Sequence, residues 1–255
     1  MYIISIILDL LYMLKFTILS LSKFIFKDEI ILNKGDLQPI ILIHGSGANN
    51  CEWKVCKHII KKYLANHPIY AINLSNCYMP GKMANCEIEE YTALAANHLK
   101  EIYDAHRQPA ILIGHSMGGL VAINLLDLYS EYIHTIVTIS TPLQGAPLLN
   151  YSPFKYILNT KRHKQMTPNS AYLQRLYEII MTNNKNILSI GSLHDIHVPN
   201  EYARFPVDLY EPLNNIKNNT KNTKYEHHTM SKYGHGSIVN NHEIWNVIRT
   251  WIKNI

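Results

Sequence analysis

Residues 110–126 read Ala-Ile-Leu-Ile-Gly-His-Ser-Met-Gly-Gly-Leu-Val-Ala-Ile-Asn-Leu-Leu. The apolar run Ala110-Ile111-Leu112-Ile113 gives way to Gly114-His115-Ser116-Met117-Gly118-Gly119 and then to a second apolar stretch, so strand, sharp turn and helix follow one another. Such a turn holds a serine in a strained backbone conformation with its hydroxyl in the open. Glycines on both sides are needed because side chains there would collide with the neighbouring strand and helix. The reading is nucleophilic acyl chemistry at Ser116; the structural alternative is that Ser116 merely caps the helix it precedes.

A serine hydroxyl is a poor nucleophile at neutral pH and needs a base, a carboxylate to orient that base, and donors for the oxyanion that forms. Upstream, Ile40-Ile41-Leu42-Ile43 reads as a buried parallel strand and ends in His44-Gly45-Ser46-Gly47-Ala48-Asn49, whose small residues let backbone amides approach a ligand. The oxyanion donors are assigned to the backbone N–H groups of Ser46 and Met117. Downstream, Ile187-Leu188-Ser189-Ile190 opens into Gly191-Ser192-Leu193-His194-Asp195-Ile196-His197-Val198-Pro199, and Asp195 is the expected carboxylate, with Asp208 and Glu211 as substitutes. Tyr233-Gly234-His235-Gly236-Ser237-Ile238 precedes an amphipathic C-terminal segment, 240–255, and its glycine-flanked His235 is the expected general base. The competing histidines are His227, His228 and His242. His44 and His115 are read as packing residues that shape their loops.

The order Ser116, Asp195, His235, with separations of 79 and then 40 positions, is that of the α/β-hydrolase fold. The chain resembles α/β-hydrolase serine esterases and lipases, and within them is similar to the PGAP1-like lipid deacylases. The likeness is carried by the HGSGANNCEW loop with Ile69 to Leu74, by the elbow with Ser140-Thr141-Pro142-Leu143-Gln144-Gly145-Ala146-Pro147, and by the His235 segment running into Trp245 and Trp251. It covers the chain from about Pro39 onward. It implies Ser116 as nucleophile, Asp195 as acid, His235 as base and Ser46 as first oxyanion donor. Ser46 departs from the apolar residue more usual there, which matters little because the donor is a main-chain amide.

The implied function is a carboxylic ester hydrolase acting on lipids or other acyl esters through an acyl-enzyme on Ser116. Acyl transfer or thioester cleavage by the same triad, and a catalytically silent, membrane-bound lipid-binding scaffold, are the alternatives.

With 255 residues and 47% hydrophobic content, one α/β domain over 27–255 is expected. Continuous apolar runs at 40–44, 69–74, 110–114, 135–140 and 187–191, with a further strand at 224–229, predict a doubly wound, mostly parallel sheet covered on both faces. Residues 87–106 carry Ile88, Tyr91, Ala95, Leu99 and Ile102 at helical spacing behind Glu87, Glu89 and Glu90. The span 142–185 is too long for a simple connection and is read as a helical lid insertion. Within it Thr167-Pro168 offers a helix start, and Tyr172, Leu173, Leu176, Tyr177, Ile179 and Ile180 an apolar face that lies either over the serine or on the core. Lys155, Lys161, Arg162, His163 and Lys164 precede it, as a site for anionic head groups or as a solvated face.

Residues 1–26 are almost wholly apolar but include Asp9, Lys15 and Lys23. Ser5, Asp9, Tyr12, Ser20 and Lys23 share one helical stripe, the pattern of a helix lying in a membrane interface, with a spanning anchor as the alternative. Membrane association is therefore expected. Lys15, Lys23 and Lys27 favour the cytoplasmic face over the lumen. Cys51, Cys56, Cys77 and Cys86 have no zinc-site spacing and leave three pairings open in an oxidising compartment. A net charge of +5 without basic–aromatic clusters argues against nucleic acid, and no phosphate-cradling loop or dinucleotide fingerprint occurs, so no cofactor is expected.

Overall fold

The computed structural model describes Ile7, Leu11 and residues 29–74, 86–150, 160–209 and 225–255. The segment 1–26 otherwise lies outside the described residues, as do Cys77, Glu211, Lys155 and the polar stretch before residue 225.

The described chain forms strands β1 (Glu29–Asn33), β2 (Ile40–Ile43), β3 (Ile69–Ile72), β4 (Ala110–His115), β5 (Ile133–Ile139), β6 (Asn186–Ser192) and β7 (Tyr225–Met230). Helices α1 (Cys51–Val55), α2 (Lys57–Tyr63), α3 (Ile88–His106), α4 (Met117–Asn124), α5 (Leu126–Tyr129), α6 (Lys161–Gln165), α7 (Ala171–Thr182) and α8 (His242–Lys253) connect or flank them. The strands make one sheet in the order β1-β3-β2-β4-β5-β6-β7. Every pairing is parallel except that of β1 with β3. The six strands expected from apolar runs are present. The added strand is β1: five residues that follow the N-terminal apolar run with no Gly or Pro to punctuate them, and that add to the sheet edge antiparallel to β3.

Side-chain alternation divides the core in two. Ile41 and Ile43 of β2 and Ala110 and Leu112 of β4 pack with α3, α4 and α7, whereas Ile40, Leu42, Ile111 and Ile113 pack with Trp53 of α1, Ile60 of α2 and Trp245 and Trp251 of α8. Both sheet faces are thus covered, which is why the central strands tolerate no polar alternation. In α3 the Glu90 carboxylate accepts from the Glu87 N–H at 3.0 Å, fixing the start where the acidic cluster predicts it. The start of α7 differs from expectation. Ser170, not Thr167, caps it, its hydroxyl accepting from Leu173 N–H at 3.3 Å, while Thr167 Oγ1 donates to the Lys164 carbonyl at 2.7 Å. The apolar face of α7 (Tyr172, Leu173, Leu176, Ile179, Ile180) is buried in the first core cluster, the second of the two placements open in the sequence.

Because the sheet is parallel, the C-terminal ends of β2, β4, β6 and β7 share one edge, where ligands bind in open α/β sheets. There the chain turns tightly. A Cβ added to Gly118 would lie 2.2 Å from the Ile43 carbonyl oxygen, and one on Gly114 would lie 2.4 Å from the Gly118 main chain. The obstructing atoms are backbone and have nowhere to go. Gly118→Ala is expected to destabilise the fold by about 2 kcal/mol or more, read as a lowered midpoint in urea unfolding.

Candidate active site

Ser116 sits between β4 and α4 at φ +53° and ψ −127°, a conformation that a residue with a side chain adopts only when its surroundings impose it. Its N–H is held by the Ile139 carbonyl at 2.8 Å. Its hydroxyl does not cap α4. Instead Ser116 Oγ lies 3.0 Å from His235 Nε2, and His235 Nδ1 lies 2.8 Å from Asp195 Oδ2. The three residues singled out in the sequence therefore converge in one hydrogen-bonded chain.

Each partner is held by its own loop. Asp195 follows β6, is shielded from solvent, and its second oxygen accepts from His197 N–H and Val198 N–H, both at 2.9 Å. Burial raises the Asp195 carboxyl, but the His235 imidazole and the main-chain donors outweigh it, and the net direction is below the ordinary value. A carboxylate on Nδ1 fixes the imidazole tautomer, with N–H toward Asp195 and Nε2 free to accept from the serine. The alternatives are elsewhere. Asp208 is exposed, and His242 opens α8 against Tyr63. His228 is half-exposed on β7. His227 is bonded to Ser189 Oγ (2.7 Å) and Asn200 Oδ1 (3.2 Å), and burial, with Arg204 and His228 adding to it, pushes its pKa down to about 4.

The loop after β2 lies beside the elbow, a Cβ on Gly45 falling 3.0 Å from Ser116 Cβ. Met117 N–H opens α4 and so lacks an acceptor within the helix. No acceptor among the described residues takes the Ser46 N–H. The two N–H groups expected to hold the oxyanion thus lie on the two segments that meet at Ser116.

Arg162, Glu52 and His115, none of them expected from the sequence to take part in the site, also belong to this neighbourhood. Arg162 of α6 is buried, donating from Nε to Ser46 Oγ at 3.1 Å and from a terminal nitrogen to Tyr91 OH at 3.3 Å. Lys161 pairs with Glu87 at 3.0 Å. The basic run therefore turns its arginine inward, toward the Ser46 loop, and is not a wholly solvated surface for head groups. Glu52, fully buried in α1, forms an ion pair with His115 Nδ1 and accepts from Gly45 N–H at 3.2 Å through its other oxygen. His115 Nε2 lies 2.9 Å from the His235 carbonyl oxygen. A lone acidic residue beside a tryptophan carries no pattern that would single it out in sequence; the one cue is a histidine next to the nucleophile with no partner assigned.

The sheet order, the sharp turn after β4 and the placement of the site at the C-terminal strand ends define the α/β-hydrolase fold. Residues 35–239 match the PGAP1-like alpha/beta domain, and the chain belongs to that family. Among solved structures, the mature lipase of Bacillus licheniformis superimposes with a TM-score of 0.61 at 16% identity, covering 88% of this chain and 97% of that one. A Paleococcus ferrophilus monoacylglycerol lipase gives 0.61 at 17%, covering 88% and 97%. At these identities the likeness is one of fold. A pimeloyl-[acyl-carrier protein] methyl ester esterase of Wigglesworthia glossinidia brevipalpis is 30% identical over 113 residues, 44% of this chain. The match spans 39% of that relative's length.

The pKa directions set the pH response. Asp195 is depressed, so its contribution to stability is full above about pH 4, the unfolded value, and is lost as pH falls through the lower folded value. The gap in urea midpoint between wild type and Asp195→Asn is expected to narrow as pH drops below about 4. His115 has the opposite sign: its pKa is raised, so its contribution is full below about pH 6.5 and is lost as pH rises through the folded value.

Proposed function

We propose that this protein is a serine carboxylic ester hydrolase whose substrates are lipids or other long-chain acyl esters. The observation that carries the reading is the unbroken chain from Ser116 Oγ through the His235 ring to Asp195. Ser116 Oγ attacks the ester carbonyl carbon while His235 Nε2 takes its proton, and the carbonyl electron pair moves onto oxygen. Ser46 N–H and Met117 N–H receive that oxyanion. Collapse of the tetrahedral species breaks the bond to the alcohol oxygen, which leaves with the proton from His235. Water then gives a proton to His235 and attacks the acyl-enzyme, the carboxylic acid departs, and Ser116 regains its hydrogen. The proton returns to its starting atom, so no further reactant is required.

Apolar specificity is supported by Leu193 (62% exposed) and Ile196 (43% exposed), exposed apolar residues within two positions of Asp195 in the chain. The fold-level likeness to lipases agrees with it. Membrane association is proposed through residues 1–26, on the strength of their apolar composition. Among the described residues no helix is long and apolar enough to cross a membrane.

A fluorophosphonate probe is expected to label wild type and not Ser116→Ala, and esterase activity on acyl esters to fall at least about 1000-fold in Ser116→Ala and His235→Ala. Failure of folded wild type to react overturns the reading. Ser46→Ala keeps the main-chain donor and Ser46→Pro removes it. The proline variant is therefore expected to lose about 100-fold or more in kcat relative to the alanine variant, measured on one soluble ester. A chain lacking residues 1–26 is expected to leave the membrane fraction on cell fractionation, and its retention there refutes the membrane assignment.

A further inference from the structure

Two imidazole–carboxylate pairs stand side by side at this site, and only one of them belongs to the triad. The His115 and His235 ring centroids are 5.0 Å apart. The His115 and Glu52 side chains are 5% and 3% exposed, well beyond what a surface ion pair would show. Around His115 stand the Glu52 carboxylate at Nδ1, the His235 carbonyl oxygen at Nε2, and the Asp195 carboxylate and His235 ring farther off. On the other side of Glu52, His44 accepts from Leu74 N–H at Nε2 (2.9 Å) and donates from Nδ1 to the Gly45 carbonyl (2.9 Å), so its ring is the neutral tautomer. His115 differs. Both of its nitrogens face acceptors, and a neutral imidazole has only one N–H to offer. Burial raises the Glu52 carboxyl, but His115 and the Gly45 N–H outweigh it and the net direction is downward, and against that ionised carboxylate the ring that satisfies both partners is the imidazolium.

We propose that Glu52 and His115 form a buried, charged positioning pair that locks together the three loops on which catalysis depends. The connections are specific. Glu52 accepts from Gly45 N–H and so orients the peptide that precedes the Ser46 donor. His115 is the residue before Ser116 in the chain, so its ring anchors the elbow. Its other nitrogen holds the main chain of His235, the residue whose ring must stay 3.0 Å from Ser116 Oγ. One pair therefore reaches the oxyanion loop, the nucleophile turn and the base loop at once. Burial pulls the His115 pKa down, but the Glu52 carboxylate and the His235 carbonyl outweigh it and the net direction is upward, in keeping with a charged ring. Neither residue touches the reacting atoms. Loss of the pair changes kcat through geometry, since displacement of catalytic groups by about 1 Å costs on the order of 100-fold.

This inference rests on the hydrolase reading, and its test separates the two. The full-length chain is compared as wild type, Glu52→Gln, Glu52→Asp and the double variant Glu52→Gln with His115→Gln. Readouts are thermal midpoint, fluorophosphonate labelling rate, and kcat and KM on p-nitrophenyl butyrate. Glu52→Gln is expected to lower kcat roughly 10- to 100-fold with KM within about threefold, and Glu52→Asp to recover part of that loss. The double variant leaves no uncompensated charge, so it is expected to regain thermal midpoint over Glu52→Gln without regaining kcat. Nitrogen-15 NMR of labelled wild type, with His115 assigned by its absence from the double variant, is expected to show both ring nitrogens protonated at pH 7. If the folded double variant turns over at the wild-type rate, the pair is merely structural and the proposal is overturned; a neutral His115 ring in wild type overturns it as well. Should the variants fail to fold, the ring measurement is made on wild type alone, His115 being assigned by elimination from single-histidine substitutions elsewhere, and it decides. Wild type that ignores the probe refutes the hydrolase reading itself, whereas wild type that reacts no faster than the variants refutes only the positioning pair.

Discussion

The first turn of α4 rests on bare main chain. Gly118 meets the carbonyls of Ile43 and His44 at the end of β2, and Gly114 meets Gly118 itself, at distances that admit no side chain. This contact forces the chain at Ser116 into positive φ, because the strand must turn into a helix within one residue while that helix stays pressed on its neighbours. It also decides where the hydroxyl goes. A serine at an ordinary helix start folds its hydroxyl back onto the first-turn amides. At φ +53° and ψ −127° Ser116 projects away from them, and the Met117 N–H is left for another acceptor. The direction of the Ser116 hydroxyl and the unengaged first-turn N–H are two results of one backbone constraint.

The parallel sheet does the rest of the assembly. Residues 79 and 40 positions apart meet because β4, β6 and β7 end at the same edge, and each loop leaves its strand at the same height. Asp195 and His235 were legible in sequence for this reason: each lies on a short polar loop just past the last apolar residue of a strand, or just before the last helix, where main-chain demands leave a signature of Gly, Asp and Pro. Glu52 left none. It is polar within α1, beside Trp53, and what makes it a core residue is a partner 63 positions away. Arg162 was misread for the converse reason. Its neighbours Lys161 and Lys164 give the look of a solvated run, but helical geometry turns successive residues about 100° apart, so one member of a charged run can face inward while the others face out. Strand β1 escaped notice because an edge strand pairs on one side only, and its apolar residues merge with the run that precedes them.

The inward turn of Arg162 and the burial of α7 place limits on what the segment between β5 and β6, expected to be an insertion, does. A helix whose apolar face completes the core cannot also offer that face to an acyl chain, since exposing Leu173, Leu176 and Ile180 would cost on the order of 1.5–3 kcal/mol for each side chain. The insertion contributes to the site by its polar side instead. Through Arg162 it places a guanidinium against the Ser46 hydroxyl, and so adds positive charge to the loop that adjoins the Ser116 elbow. Exposed apolar surface near Asp195 is instead that of Leu193 and Ile196, on the same loop.

What separates the two imidazoles of this site is the atom opposite each Nε2. Both rings have a carboxylate at Nδ1, so both carry a proton there. Beyond His235 lies a hydroxyl, which can donate, so a ring with a single N–H satisfies both of its partners. Beyond His115 lies a carbonyl, which only accepts; the ring must hold a second proton, and with it a charge. The same pair of residue types therefore gives a ring that can accept from a hydroxyl in one place and a ring that balances a buried carboxylate in the other. The distinction also imposes an arrangement. A charged ring carries a desolvation cost that only a nearby anion offsets, so Glu52 must be buried with it, whereas a ring that alternates between neutral and charged states during turnover needs some access to polar surroundings. His235, one-fifth exposed, has that access, and His115 does not.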